Sequence, residues 1–332
     1  MGFLGTHGFF LAFLPLLFFA PRQAHAGTDV EISLVAVLAL GVCTSSALKD
    51  YIGSSRPLTS LGVRRVSRCS STSREFGLPS THSANAMSVS TLVLLVSGGP
   101  SRGIHPAIAA GLAVYPVLMG CSRVLSGMHS WIDVWAGWGL GFAIAAGWYC
   151  VWFVAGGAGW WLLRAGPTGV AAVMALVPLL VGMHPDPEEE CPCFEDSVAF
   201  VSVFAGLLVG HWMRNGVFWN DFMGVSSDVE RWMNVDELSA MAWFALFALR
   251  LVIGALSIYA FRKATKTYLN FVLEFTFGPS AVSKPQIQKA ASHEHHHIPR
   301  FTRKMNVDIC VYFGIAVVAV DWVPRLFELL SI

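Results

Sequence analysis

Long apolar stretches alternate with polar ones along most of the chain. The apolar runs cover about residues 9–20, 30–48, 83–96, 106–121, 129–154, 160–183, 197–213, 240–261 and 307–323. A helix needs roughly 20 apolar residues to cross the hydrocarbon core of a bilayer, and several of these runs approach that length. The pattern therefore predicts an all-α fold, a polytopic bundle of transmembrane helices.

Composition agrees with this prediction and excludes other classes. Of the 332 residues, 55% are hydrophobic and only 13% are charged, whereas soluble domains carry about 25% charged residues. The formal net charge is +1, which gives no general attraction to nucleic acid, and the sequence contains no nucleic-acid-binding motif. We therefore expect membrane lipids around the protein and no nucleic-acid partner.

The two ends of the chain are harder to interpret. Residues 9–20 are followed by Ala24-His25-Ala26, which resembles the end of a signal peptide, but residues 1–8 contain no Lys or Arg. We therefore favour a retained membrane helix over a cleaved signal. Toward the other end, residues 262–304 are polar and basic, and they are predicted to lack membrane character.

Three polar clusters stand where apolar runs begin or end. The first contains Lys49 and Arg56, the second is the run Pro79-Ser80-Thr81-His82, and the third comprises Ser122, Arg123, His129 and Asp133. The run 30–48 delivers the first cluster to one membrane face, the run from 83 leaves that face, and the run 106–121 returns to it. All three clusters are therefore predicted to lie on the same face.

The chemistry of the three clusters suits a compact, multiply charged anion. Lys49, Arg56 and Arg123 provide three cations, and arginine presents paired donors that match phosphate oxygens. Pro79 predicts a helix start with Ser80 or Thr81 at the N-cap, where main-chain amides add an anion site. The hydroxyls of Ser80, Thr81 and Ser122 are further candidate phosphate ligands.

Two histidines in one cationic pocket can divide a phosphoryl transfer between them. Asp133 lies four residues after His129, on the same helix face, and can orient it as the nucleophile that forms a phosphohistidine. His82 can then protonate the leaving oxygen and later activate water. The motifs supply no carboxylate cluster for magnesium, so we expect neither a metal nor a cofactor. Taken singly, each of these residues is more often an interfacial anchor than a catalytic group.

The three clusters together resemble the signature of the type 2 phosphatidic acid phosphatase (PAP2) superfamily. The resemblance rests on Lys49-x6-Arg56-Pro57, Pro79-Ser80-Thr81-His82 and Ser122-Arg123-x5-His129-x3-Asp133, and it covers about residues 31–155. It implies a PAP2-type, haloperoxidase-like helical core, metal-independent hydrolysis and the roles given above. One departure is Thr81, which stands where many members have glycine.

Further stretches are similar to one branch, the sphingosine-1-phosphate phosphatases. They are residues 76–86, 127–134 and 191–197, the last of which includes Cys191-Pro192-Cys193. The branch implies a phosphorylated sphingoid lipid as substrate, no obligate protein partner, and an endoplasmic reticulum membrane with the site facing the lumen. Five arginines in residues 50–80 favour a cytosolic loop instead by the positive-inside rule, and we follow the resemblance.

These inferences give a working division of the chain. Residues 1–30 form an N-terminal membrane helix and connection, 31–155 the catalytic core, and 156–332 a C-terminal transmembrane region that includes 262–304. By the resemblance, a portion upstream of residue 1 is missing or shortened. Other substrates stay open, such as phosphatidate or a prenyl diphosphate, and so does a transporter or structural protein without turnover.

Overall fold

The computed structural model describes residues 15–16, 18–20, 29–57, 75–98, 104–154, 158–186, 192–215, 239–278, 301–330 and 332. Within these ranges the chain forms helices and their connections, with no strand. The all-α prediction is confirmed. The helix predicted over residues 9–20 falls mostly outside the described ranges, although residues 15, 16, 18 and 19 are helical.

The helices follow the predicted order along the chain. They are α1 (Asp29–Ile52), α2 (Thr81–Val96), α3 (Pro106–Leu125), α4 (Trp131–Tyr149), α5 (Ala158–Met183), α6 (Cys193–Asn215), α7 (Ala240–Phe277), α8 (Arg303–Val317) and α9 (Val323–Leu329). A π-helical turn extends α4 to Val154, and another joins α8 to α9. In the described part of the chain, seven helical segments are long and apolar enough to cross a membrane. This confirms the polytopic architecture.

Helix α2 is shorter than the other core helices. Its 16 residues extend about 24 Å, less than the roughly 30 Å of hydrocarbon that a bilayer presents. The helix is packed among α1, α3 and α4 and buries small polar side chains. Its neighbours rather than lipid therefore surround its polar groups.

The first part of the polar stretch 262–304 is helical, and its lack of membrane character stays a prediction. Helix α7 continues to Phe277 and is 38 residues long. Between Gly254 and Gly278 the sequence has neither glycine nor proline to interrupt it, and the helix ends where Gly278 takes φ 78°. Residues 262–277 are thus a helical extension, and residues 279–300 lie outside the described part.

The helix directions bring three helix ends to one face of the bundle. Helix α1 ends there, α2 and α4 begin there, and the backbone N–H of Ser80 donates to the carbonyl of Asp133 at 2.9 Å. We call this the site face. The hydrophobic core beneath it is built mainly from α1, α4 and α6. In this core the rings of Trp148 and Trp152 are stacked, with 5.0 Å between their centroids.

Two glycines of α4 set the distance between α2 and α4. A Cβ atom on Gly137 or Gly141 would collide with the backbone of Ser80 or Ala84 in α2, whereas one on Gly139 or Gly147 would meet open space. Gly139 and Gly147 therefore play no part in this close approach. Small residues permit such approach only when they face the neighbouring helix.

The glycine contacts yield a prediction with an internal control. Gly141→Ala should push α4 away from α2, lowering the free energy of unfolding by about 1–3 kcal/mol, as overpacking of a tight contact does, and lowering activity. Gly139→Ala should leave both unchanged, since its methyl group meets open space. Thermal unfolding and turnover in detergent would test the pair, and equal behaviour of the two variants would contradict the assigned contact.

Candidate active site

The first cluster lies where α1 ends. Lys49 is in the last turn of α1 and is 4% exposed, in a position where a cation is favoured by the helix dipole. Gly53 then takes φ 63°, a conformation that suits glycine and lets the chain reverse. The reversal turns Arg56, which is 5% exposed, back toward the loop that precedes α2.

Arg56 connects the three clusters directly. Its Nε donates to the carbonyl of Glu75 at 2.8 Å, its Nη2 to Glu75 Oε2 at 3.0 Å, and its Nη1 to the carbonyl of Met128 at 3.1 Å. Its Nη1 also lies 3.5 Å from His129 Nε2. This one guanidinium therefore joins the loop after α1, the loop before α2 and the loop before α4.

The position of His129 determines which of its nitrogens is available for chemistry. Its Nδ1 lies 2.9 Å from the carbonyl oxygen of Gly77, and a carbonyl can only accept a hydrogen bond. Nδ1 therefore carries the proton, and Nε2 presents its lone pair beside Arg56. The imidazole is 3% exposed, which protects this arrangement from water.

Asp133 lies beside His129 as predicted from its spacing, but it makes no hydrogen bond to the ring. Its Oδ2 is 3.7 Å from His129 Nδ1, longer than a hydrogen bond, and accepts instead from the backbone N–H of Ser130 at 2.7 Å. The Ser130 hydroxyl in turn accepts from the backbone N–H of Asp133 at 3.2 Å, which completes a capping box at the start of α4. Gly77 thus fixes the tautomer, and Asp133 holds the helix start and places a negative charge beside the ring.

The second cluster forms the start of α2. Ser80 is at the N-cap as predicted, but its side chain makes no capping hydrogen bond, and its hydroxyl accepts instead from Ser83 at 3.0 Å. The hydroxyl of Thr81 accepts from Ser45 in α1 at 2.9 Å. His82 follows in the first turn of α2 and is half-buried. The start of α2 is therefore tied to both α1 and α4.

The last two candidates lie at the end of α3. The Ser122 hydroxyl donates to the carbonyl of Met119 at 2.8 Å, so in this structure it bonds within its own helix. The Nε of Arg123 is buried and has no hydrogen-bond partner within the part of the chain that the structure describes. A buried N–H without a partner is costly to a protein, and an anion would satisfy it.

Two features of the site were missed by reasoning from sequence. One carboxylate oxygen of Glu75 lies 3.2 Å from Lys49 Nζ and 3.0 Å from Arg56 Nη2. Nothing in the sequence singled out Glu75 within its polar loop. Asp50, beside Lys49, pairs with His184 through Oδ2 and Nε2 at 2.9 Å, and both side chains are buried. The second pair fastens the end of α1 to the segment after α5.

The described residues contain no group of three or more His, Cys, Asp or Glu side chains that could hold a metal ion. The cations and histidines of the site instead favour an anionic ligand that is bound by charge and hydrogen bonds. The absence of a metal cofactor in the working protein stays a prediction.

The environment of His129 predicts how stability depends on pH. Burial lowers the pKa of His129 from about 6.5 to about 4; the carboxylate of Asp133 opposes this shift, and the charges of Arg56 and Lys49 add to it. The neutral ring therefore stabilises the fold fully above pH 6.5, and that stability is lost as the pH falls toward 4. At pH 5 the loss from this group is about 2 kcal/mol.

The measurement compares wild type with His129→Asn, which keeps a donor for the Gly77 carbonyl but does not titrate. The free energy of unfolding of the wild type should fall more between pH 7.5 and pH 5 than that of the variant. Identical pH dependence in the two proteins would show that His129 is not held neutral by burial.

Residues 31–156, which contain the three clusters, match the model of the PAP2 superfamily. The chain is 27% identical to a dihydrosphingosine 1-phosphate phosphatase of Schizosaccharomyces pombe, over 98% of this chain and 81% of that protein. It is 31% identical to a dihydrosphingosine 1-phosphate phosphatase of Saccharomyces cerevisiae, over 65% of this chain and 52% of that protein.

Similarity extends to an animal protein. The chain is 26% identical to sphingosine-1-phosphate phosphatase 2 of Mus musculus, over 64% of this chain and 56% of that protein. It therefore spans only about half the length of the budding-yeast and mouse relatives. No solved structure gives a significant match.

Proposed function

We propose that this protein is a membrane lipid phosphatase that hydrolyses sphingoid base 1-phosphates to the free base and inorganic phosphate. The observation that carries the proposal is the unprotonated Nε2 of His129, 3.5 Å from Arg56 Nη1 and held by the Gly77 carbonyl. A nucleophile with its lone pair beside a buried cation is the arrangement that attack on a phosphate ester requires.

In the first step, the phosphate binds among Lys49, Arg56 and Arg123, whose charges stabilise its oxygens in the transition state. Nε2 of His129 forms a bond to phosphorus while the bond from phosphorus to the lipid oxygen breaks. His82 gives its proton to that oxygen, so the lipid leaves as an alcohol. The phosphoryl group stays on His129 as a phosphohistidine.

In the second step, His82 has become a base and removes a proton from water. The water oxygen bonds to phosphorus, the bond to Nε2 breaks, and inorganic phosphate is released. Ser80, Thr81 and the main-chain amides at the start of α2 are proposed to assist phosphate binding. Ser122 can contribute only if its hydroxyl rotates away from the Met119 carbonyl.

Two observations support a sphingoid lipid as the substrate. The relatives described above are named for dihydrosphingosine 1-phosphate and sphingosine 1-phosphate, and one of them is matched across 98% of this chain. The site also lies at the ends of helices that can span a membrane, so a lipid can approach it from the bilayer while its phosphate stays at the site face.

We further propose that the protein resides in the endoplasmic reticulum membrane with its site face toward the lumen. Cys193 begins α6 and is disulfide-bonded, and the next residue, Phe194, packs against His184, which pairs with Asp50 at the end of α1. Disulfides form and persist in oxidising compartments such as this lumen. By the positive-inside rule, the arginines of residues 50–80 would favour the cytosolic side. One of these arginines, Arg56, is part of the site, so its presence in the loop does not report orientation.

The test is phosphate release from dihydrosphingosine 1-phosphate in detergent with EDTA, with phosphatidate measured alongside. The proposal predicts release that EDTA does not inhibit and that is faster from the sphingoid substrate. Equal or faster release from phosphatidate would overturn the substrate assignment. No release from either lipid would favour a protein that keeps the fold without turnover.

A further inference from the structure

Two adjacent side chains hold the last turn of α1. Lys49 and Asp50 are buried, whereas Tyr51 and Ile52, which complete the turn, are exposed. Successive residues of a helix lie about 100° apart around its axis, so the two buried side chains leave the helix in different directions. Together they fix the rotation of the last turn about the helix axis.

Each of the two side chains has its own partner. Lys49 Nζ lies 3.2 Å from Glu75 Oε2, in the loop before α2 that also binds Arg56. Asp50 Oδ2 lies 2.9 Å from His184 Nε2, in the segment after α5. The first contact belongs to the active site, and the second is made by a residue outside the range 31–156 that matches the PAP2 model. A rotation of the turn that changed one contact would also change the other.

His184 is itself held in place by the apolar core. Its ring meets the ring of Phe194, at the start of α6, with 5.2 Å between the centroids and 62° between the planes. Phe194 belongs to a hydrophobic cluster that also contains Val177 and Val181 of α5. The imidazole is therefore a fixed point to which the end of α1 is attached.

The carboxylate of Asp50 depends on this attachment. Its side chain is fully buried, and in the described part of the chain its hydrogen-bond partner is His184. A buried carboxylate without a partner is strongly unfavourable. If the imidazole were removed, the carboxylate would turn toward water or other donors, and the last turn of α1 would rotate with it.

We propose that His184 is a positioning residue of the active site, which acts through Asp50 to keep Lys49 directed at the phosphate. This inference rests on the proposed function, in which Lys49 is one of three cations that bind the phosphate. The region after the catalytic core thus contributes to the site without contacting the substrate.

The expected effect is a loss of phosphate affinity. A charge-assisted hydrogen bond changes affinity by about tenfold, so Lys49→Met should weaken the binding of inorganic phosphate by about this factor. Loss of the contact between His184 and Asp50 should weaken it by nearly as much, because Lys49 is then present but no longer directed at the phosphate.

The experiment titrates inorganic phosphate by calorimetry into the full chain in detergent, and it compares His184→Asn with His184→Gln. Both variants replace the ring by an uncharged amide. The glutamine amide nitrogen reaches about as far as Nε2 and can donate to Asp50, whereas the asparagine amide is one methylene shorter. His184→Asn should bind phosphate about tenfold more weakly than wild type, and His184→Gln should bind it nearly as tightly as wild type.

A double-variant cycle separates positioning from a general structural effect. In the Lys49→Met background, His184→Asn should cause no further loss of phosphate affinity, because the group that His184 positions is gone. A general loosening of the fold would lower affinity in both backgrounds.

Asp321→Asn is the control for stability. It changes another buried carboxylate, which pairs with Arg325 Nε at 2.8 Å in the π-helical turn between α8 and α9. This variant should lower the thermal stability without lowering the affinity for phosphate.

Full phosphate affinity in His184→Asn, or an equal loss with and without Lys49, would overturn the inference. If His184→Asn does not fold, Phe194→Leu removes the ring that packs against His184 and takes its place in the cycle. It should cause a smaller loss of affinity that again disappears in Lys49→Met, and a loss that is independent of Lys49 would overturn the inference.

These titrations need no turnover, so the two proposals can fail separately. A wild type that shows the expected coupling but releases no phosphate from any lipid would overturn the proposed function alone. An active wild type whose His184→Asn variant binds phosphate normally would overturn the role of His184 alone.

Discussion

Replacing His129 by asparagine should reduce phosphate release from dihydrosphingosine 1-phosphate by about 10⁴-fold or more, because no other group takes the place of a catalytic nucleophile. Asparagine keeps a donor for the Gly77 carbonyl, 2.9 Å from Nδ1 in the wild type, but has no lone pair at the position of Nε2. The loss should therefore appear in kcat rather than in the affinity for phosphate.

The measurement is kcat in detergent, together with calorimetric binding of inorganic phosphate to the same preparation. Binding within a few-fold of wild type would show that the pocket is intact. Substantial turnover by a folded His129→Asn protein that binds phosphate would contradict the assignment of His129 as nucleophile.

His82→Ala should reduce turnover of the lipid substrate by about 10²–10⁴-fold, the usual contribution of a general acid or base. The lipid leaves as a poor leaving group, an alkoxide that requires a proton, whereas p-nitrophenolate leaves without one. With p-nitrophenyl phosphate the first step should therefore survive in the variant, while the second step, which needs a base to activate water, should remain slow.

A rapid-mixing experiment distinguishes the two steps. His82→Ala should release a burst of about one p-nitrophenolate per protein, followed by slow steady turnover, as expected when a covalent intermediate accumulates. Met87→Ala, five residues further along α2, serves as a matched control and should behave as wild type does. A variant equally slow in both phases would show that His82 is not the leaving-group acid.

The fold could be predicted from sequence because each membrane helix is marked by the apolar residues of its own segment. Apolar runs and their lengths predict membrane helices, and the alternation of their directions predicts that Lys49, His82 and His129 share a face. The length of α7 was harder to predict, since polar residues such as Lys263 and Lys266 interrupt the apolar pattern without interrupting the helix. Hydropathy reports the environment of a segment, not where its helix ends.

The candidate site was predictable only in part. Residue types and spacing indicated the cations, the two histidines and the neighbouring Asp133, but they could not indicate the hydrogen bond between His129 and the Gly77 carbonyl at 2.9 Å. A main-chain carbonyl from a distant loop leaves no mark in a sequence pattern. The same holds for two ion pairs. Glu75 is 26 residues from its partner Lys49, and Asp50 is 134 residues from its partner His184.

The most direct test of the mechanism is to trap the phosphoryl group on His129. His82→Ala would be mixed with p-nitrophenyl phosphate, quenched at alkaline pH, where phosphohistidine is stable, and analysed by mass spectrometry of its peptides. The proposed mechanism predicts phosphate on the peptide that contains His129, and none in the His82→Ala, His129→Asn double variant. A burst of p-nitrophenolate with no phosphate on His129, or with phosphate on another residue, would contradict it.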